Sequence, residues 1–368
     1  MKKTVFLSCG DLSGDRWASY IVRLFRDRFP EVRVVALGGQ ESEKAGALLL
    51  EDVVSSSTVG LWEVVRNLGF WRSVWEKAKS FLVAERPSVF LAIDNPGLNI
   101  RLGYLSSSLR IPVVYFAPPQ VWAWGQRRGK QVSSFSDHVL CLFPWERVYF
   151  EGGKARVEWV GHPLKICMKG KIPPHVSSPR VILLLPGSRK HEVLAFLPVL
   201  QDFFKRYGSR FLDYRFVLVA ASPSLYSFFA TCLGSLPVRV VPWEELYPLL
   251  GEATFAISSS GTVALEVALG GVPQVIVYRT SWPTFIFASL LFQGSFIGLP
   301  NIILGQKVAP ELLQRRFNAR ELYRVMENSL SDPLSLAKAR ERAEEISRRL
   351  GDGRTFERVV EVVAHYLA

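Results

Sequence analysis

The chain has 368 residues, 49% of them hydrophobic and 21% charged, which excludes a disordered chain and exceeds what one ordinary domain core needs. Lys and Arg number 45 against 33 Asp and Glu, a formal net charge of +12. That balance favours anionic partners (nucleic acid, phosphorylated substrates or an acidic membrane surface), with a plain solubility or heat-adapted surface as the bland alternative.

The N-terminus, MKKTVFLSCGDLSGD, has too short an apolar run for a signal-peptide core, and TVFLSC reads as a first strand. A helical pattern from Trp17 to Arg28 follows, then strand-like VRVVALGG, SVFLAID, IPVVYFA and HVLCLF. This alternation predicts a parallel sheet with helices on both faces, because strands buried on both sides read as continuous apolar runs. Leu164–Pro179 mixes prolines, serines and lysines without a period and reads as a linker. The alternation restarts with RVILLLPGS, RFVLVAAS, VRVV, FAISSS and PQVIVYR, and charged helical patterns close the chain. The expected organisation is a first domain over 1–165, a linker over 166–179, a second domain over 180–340, and helices over 341–368 that fold back on an N-terminal domain, its own or a partner's. Two doubly wound domains would face a cleft lined by strand C-termini, where open α/β sheets bind ligands. Ser281–Gln306 carries no charged residue. Its prolines and glycines fit a buried or interfacial helix better than a spanning one.

The strand-end turns carry the candidate chemistry. CGDLSGD, Cys9–Asp15, is neither a dinucleotide fingerprint nor a P-loop; it is open to a phosphate or sugar, or to simple capping by Ser13 or Asp15. Asp94 ends an apolar strand, where a carboxylate serves as general base or an Asx turn precedes a proline. Trp122 and Trp124 with Arg127, Arg128 and Lys130 suit an amphipathic anionic ligand, a membrane interface or single-stranded nucleic acid. In LLLPGSRKHE the backbone at Gly187 and Ser188, with the Arg189 side chain, suits a pyrophosphate. SSSGTVALE, Ser258–Glu266, offers a second anion cradle, with Glu266 one turn into its helix. Asn301 stands alone among apolar residues, as a ligand contact or a turn cap. The four cysteines (Cys9, Cys141, Cys167, Cys232) show neither metal spacing nor a disulfide framework and read as thiols of a reducing cytosol. The scattered histidines form no metal triad and no Asp-x-Asp pair occurs, so no metal is expected and arginine and helix termini would meet the pyrophosphate charge.

Taken in register, GDLSGD, VGLWEV at Val59–Val64, IDNPGLN, VWAW, VGHPL at Val160–Leu164, LPGSR, SSGTVALE and LPNIILG…PELLQ resemble the signature blocks of lipid-A-disaccharide synthase over nearly the whole chain. The resemblance implies a GT-B fold of two Rossmann-like domains, acceptor domain first and UDP-sugar domain second. It implies an inverting, metal-independent transfer of 2,3-diacylglucosamine from UDP to 2,3-diacylglucosamine 1-phosphate at the cytoplasmic face of the inner membrane of a Gram-negative bacterium. Asp94 matches the family's strand-end aspartate, expected as base for the acceptor 6-hydroxyl. Arg189, Ser260, Gly261, Thr262, Glu266 and Asn301 match its nucleotide contacts. The expected acceptor contacts are Ser13, Asp15, Glu63, Trp122, Trp124, Arg127 and Arg128. Gly97 and Leu98 depart from the family's Asp-x-Pro-Asp-Phe-Asn, which weakens any second acid in that loop; Asp11 replaces a glutamate. The expected partners are the two lipid sugars and the membrane surface, with no nucleic acid and no cofactor; a homodimer is left open. The rival readings are a GT-B 2-epimerase or peptidoglycan transferase on a UDP-amino sugar, and a non-catalytic basic membrane- or RNA-binding protein, which would need neither Asp94 nor two cradles.

Overall fold

The structure, a computed structural model, describes residues 3–57, 61–122, 127–176, 180–234, 236–281, 285 and 295–367, and in that span not the side chains of 56, 57, 61–68, 190 and 191. Trp124 and the Glu63 side chain lie outside the described residues, as do 282–284 and 286–294 of the uncharged stretch after Ser281. The chain divides into two compact units: one takes it to Ile166 and resumes at Leu350, and the other holds the described residues from Cys167 to Arg349.

In the first unit the strands are β1 (Thr4–Ser8), β2 (Arg33–Gly38), β3 (Leu48–Asp52), β4 (Val89–Ile93), β5 (Val113–Phe116), β6 (His138–Cys141) and β7 (Arg156–Trp159). They form one sheet in the order β3-β2-β1-β4-β5-β6-β7, parallel at every pairing. Between them run α1 (Leu12–Arg28), α2 (Gln40–Ala45), α3 (Leu61–Glu85), α4 (Pro96–Ser108) and α5 (Arg127–Phe135). Central strands β1 and β4 are buried along their whole length, as their unbroken apolar runs require. The face of α1 that carries Trp17, Ala18, Ile21, Val22 and Phe25 is buried, a helical stripe of i, i+1, i+4, i+5 and i+8.

The second unit holds β8 (Val181–Leu185), β9 (Arg215–Ala220), β10 (Val238–Pro242), β11 (Ala253–Ser259), β12 (Gln274–Tyr278) and β13 (Glu311–Leu313). Their order is β10-β9-β8-β11-β12-β13, again all parallel. Its helices are α6 (Lys190–Tyr207), α7 (Pro223–Cys232), α8 (Leu246–Glu252), α9 (Thr262–Leu269), α10 (Leu299–Leu304), α11 (Ala319–Ser331) and α12 (Ser335–Arg349). Phe203, Phe216, Phe229, Phe255 and Met326 lie in its core. Both sheets reverse their winding beside their first strand, at β1/β4 and at β8/β11, the crevice where ligands bind in such folds.

Two boundaries differ from those expected. Residues after Cys167 lie on the second unit, with the Val176 N–H donating to the Gly251 carbonyl. The return to the first unit comes at Leu350, not 341, because Ala343 and Ile346 of α12 are buried and that helix lies against α9 and α10. Beyond it, α13 (Thr355–Ala364) joins the first unit, with Phe356 stacked on Tyr20 at 4.9 Å. Among the described residues no helix is long and apolar enough to cross a membrane.

Candidate functional site

The first site lies at the β1/β4 switch point. Gly10 follows β1 so closely against the next turn that a Cβ there would stand 2.1 Å from Asn95 Nδ2. Asp94 and Asn95 both adopt left-handed backbone, φ +47 and +43, which costs non-glycine residues about 1–3 kcal/mol each. The elbow is over-determined. The Asp94 N–H donates to the Phe116 carbonyl, and the Asp94 carbonyl accepts from the Tyr115 hydroxyl at 2.7 Å and Asn99 Nδ2 at 2.9 Å. Asn99 Nδ2 also reaches the Ser8 and Ile93 carbonyls, tying β1 to β4. A half-buried carboxylate on a held elbow at a sheet's carboxyl edge is what a general base needs. The edge is acidic: burial raises the Cys9 thiol well above its ordinary range, and the charges of Asp15, Asp11, Asp52 and Asp94 add to it. Cys9 is therefore an inert thiol.

One expected acceptor contact, Asp15, has a structural role here. The cap of α1 is Asp11, whose Oδ1 accepts from the Gly14 N–H at 2.7 Å, in place of Ser13 or Asp15. Asp15 is buried and turned toward α2, accepting from the N–H groups of Gly39, Glu41 and Ser42 at 2.9, 3.0 and 3.2 Å. It closes that helix's N-terminus and has no exposed face for an acceptor. Ser13 is half-buried in the first turn of α1, and Arg127 and Arg128 are exposed at the start of α5.

Trp122 follows β5 and is half-buried; its Nε1–H donates to Glu146 Oε1 at 3.1 Å. Its ring surface, and not its indole donor, is what it can offer a ligand. Glu146, in the 3-10 turn Pro144–Tyr149, escaped the sequence reading. It is 2% exposed, and its Oε2 accepts from the N–H groups of Leu142 and Phe143 at 3.0 and 3.1 Å. Burial raises its carboxyl to about 7, with three hydrogen bonds opposing and the Asp94 charge adding. The signal that finds it is Phe-Pro-Trp-Glu after a strand, a proline at the first helical position and an acid at the third. The VGHPL block serves the fold: the His162 N–H donates to the Leu350 carbonyl, and a Cβ on Gly161 would lie 2.9 Å from that oxygen.

The second site lies at β8/β11. Gly187 follows β8 with φ +99, and a Cβ there would stand 2.2 Å from Glu192 Oε2 and 2.9 Å from Ser259 Oγ. Ser188 and Arg189 are exposed just ahead of α6; the Arg189 guanidinium is 3.4 Å from Glu192. After β11 the three serines differ. Ser258 is buried and donates to Gln274 Oε1 at 2.6 Å, and Ser259 is buried. Ser260 is half-buried, Gly261 is exposed, and a Cβ on Gly261 would meet nothing within 4 Å. Gly261 and Thr262 therefore open α9 toward free space, where its unpaired N–H groups suit an anion. Glu266, one turn on, is buried with Oε1 accepting from the Tyr247 hydroxyl at 2.8 Å.

Asn301 is bonded within its own loop and to Glu311. It is fully buried; Nδ2 donates to the Ala309 carbonyl and Glu311, and Oδ1 accepts from the N–H groups of Val308 and Ala309, all at 2.8 Å. Two donors and two lone pairs exhaust an amide. With Glu311, which takes the Gly298 N–H at 3.0 Å, Asn301 locks the loop after α10.

The lipid-A-disaccharide synthetase family matches residues 5–358, and a lipid-A-disaccharide synthase of Trichlorobacter lovleyi is 31% identical over 98% of this chain and 97% of its own. The chain belongs to the lipid-A-disaccharide synthase family. It is a glycosyltransferase of lipid A biosynthesis with the GT-B fold. The kitacinnamycin glycotransferase structure superposes with a TM-score of 0.65 at 17% identity, covering 100% of both chains. A UDP-GlcNAc 2-epimerase from Neisseria meningitidis superposes at 0.61 with 12% identity, over 98% of this chain and 100% of its own. Those two likenesses concern the fold alone, so the epimerase rival shares an architecture with this family member and nothing more specific.

Proposed function

We propose that this family member transfers a 2,3-diacylglucosamine unit from UDP to the 6-hydroxyl of 2,3-diacylglucosamine 1-phosphate, with inversion. In this reading Asp94 takes the hydroxyl proton as the acceptor oxygen attacks the donor's anomeric carbon. The bond from that carbon to the diphosphate breaks, and UDP leaves. Arg189 and the backbone N–H groups opening α6 and α9 meet the diphosphate charge without a metal, and Glu266, one turn into α9, holds the ribose. Asn301 supports that cradle through its loop and makes no direct contact. The observation that carries the reading is the held, left-handed elbow of Asp94 at the first sheet's switch point. The net charge of +12 and the exposed Arg127, Arg128 and Lys130 support work at the anionic cytoplasmic face of the inner membrane.

The test supplies both lipid sugars to the purified protein in EDTA and measures UDP release. Turnover is expected in wild type, with a loss of about 10²- to 10⁴-fold in Asp94→Asn. A wild type that needs added metal, or an Asp94→Asn enzyme at full rate, would overturn the corresponding part of the mechanism.

A further inference from the structure

The strand-end loops of the first unit contain a buried carboxylate that the proposed chemistry does not use. Glu146 has no cationic partner among the described residues, and its three hydrogen bonds divide unequally. Oε2 alone satisfies the two backbone N–H groups that begin the 3-10 turn. Capping that turn needs no more than this one oxygen. Oε1 is committed to Trp122, a residue on a different loop. Burying a carboxylate without a cation is expensive, and an amide would cap the same turn without that cost.

The loop that Trp122 ends is built to be held. It leaves β5 through Ala117 at φ +52, turns tightly with the Val121 N–H on the Pro119 carbonyl at 2.7 Å, and buries Val121. The indole hydrogen bond is its outermost described anchor before the basic start of α5. With the N–H directed inward, what remains accessible of Trp122 is apolar ring surface, which suits the ring face or hydrocarbon of an acylated sugar.

We propose that Glu146 is a positioning residue for the acceptor: its carboxylate fixes the Trp122 indole, and through it the loop 117–122 that receives the acylated sugar. This rests on the reading of the first unit as the acceptor side. Glu146→Gln keeps the volume and an oxygen for the two backbone N–H groups, but turns an NH₂ toward the indole N–H and breaks the bridge. Trp122→Phe removes the donor from the other side.

The test is steady-state kinetics on the full chain, varying the acceptor at saturating donor and the donor at saturating acceptor. Each single variant is expected to raise the acceptor KM about tenfold, the size of one lost hydrogen bond to a charged group. The donor KM should stay within about twofold, and the double variant should be no worse than either single one, as for two halves of one interaction. The proposal is overturned if the acceptor KM is unchanged, if both KM values rise together, or if the two effects multiply. Should Glu146→Gln not fold, Trp122→Phe in the otherwise wild-type chain decides by the same KM split. Wild-type UDP release separates the two claims. Its absence overturns the substrate assignment and the acceptor role together, whereas its presence with unchanged variant constants overturns the positioning role alone.

Discussion

Glu146 and His162 are both buried in the first unit, and burial moves them in opposite directions. Glu146 rises from an ordinary 4.5 to about 7, by burial first and the Asp94 charge second, against the three hydrogen bonds. His162, flanked by Trp17 and Phe143, falls from 6.5 to about 3 by burial. Between about pH 4.5 and 7 the folded chain holds the Glu146 proton more tightly than the unfolded one, so this group's contribution to stability falls as pH rises. At about 1.4 kcal/mol per unit, the window spans roughly 3 kcal/mol. For His162 the unfolded chain binds the extra proton, so its contribution is present above about pH 6.5 and is lost as pH falls toward 3, by up to about 5 kcal/mol. The two slopes oppose each other between about pH 4.5 and 6.5. Glu146→Gln removes one of them, so its stability relative to wild type should climb from pH 5 to pH 7.5. Urea midpoints across that range measure it. A constant offset between the two proteins would mean that Glu146 does not change its protonation there.

At the scale of elements, the two glycine turns of the second unit make separable predictions. Gly187 needs its left-handed backbone and has Glu192 and Ser259 against it, so Gly187→Ala should lose both stability and UDP affinity. Gly261 has ordinary φ and open space where a Cβ would go. Gly261→Ala should therefore melt within about 1 kcal/mol of wild type and still lose UDP affinity tenfold or more, because the added methyl occupies the ligand's space. Titration calorimetry with UDP and a melting curve read the two quantities; unchanged affinity would remove α9's N-terminus from the cradle. The same elements mark what sequence reading can reach. Central strands such as β1, β4 and β8 are apolar along their length because helices cover both faces, so they were legible. Edge strands β3 and β7 are half-buried, and β13 has three residues; the apolar run of β3 ends after Leu50 in Glu51 and Asp52, and β7 and β13 have none of that length. Glycine-rich strand ends announced both switch points, since close backbone approach leaves a glycine in the sequence. Which of several polar side chains faces the ligand was not legible. Asp15 and Asn301 read as contacts in one dimension; in the structure Asp15 accepts from backbone N–H groups distant in sequence, and Asn301 is bonded to its own loop's backbone and to the Glu311 carboxylate.

On the scale of the whole molecule, the chain passes from the first unit to the second at Ile166–Cys167 and back at Arg349–Leu350. The first unit is thus completed by residues from the far end of the sequence. Phe356, Val359, Val360 and Val363 of α13 are all buried, while the proposed diphosphate cradle lies at the ends of β8 and β11 and the helices after them in the second unit. Stability of the two units should therefore respond to different perturbations. UDP at a hundred times its Kd stabilises the unit that binds it by about 2.7 kcal/mol, which for a unit of this size raises its melting midpoint by about 5–11 °C. Phe356→Ala removes a core aromatic stacked on Tyr20 and should cost about 3–5 kcal/mol in the first unit. In scanning calorimetry the two treatments should act on different transitions, UDP on one and Phe356→Ala on the other. If UDP instead raised the transition that Phe356→Ala lowers, the nucleotide would be bound by the first unit, and the assignment of the cradle to β8 and β11 would fall.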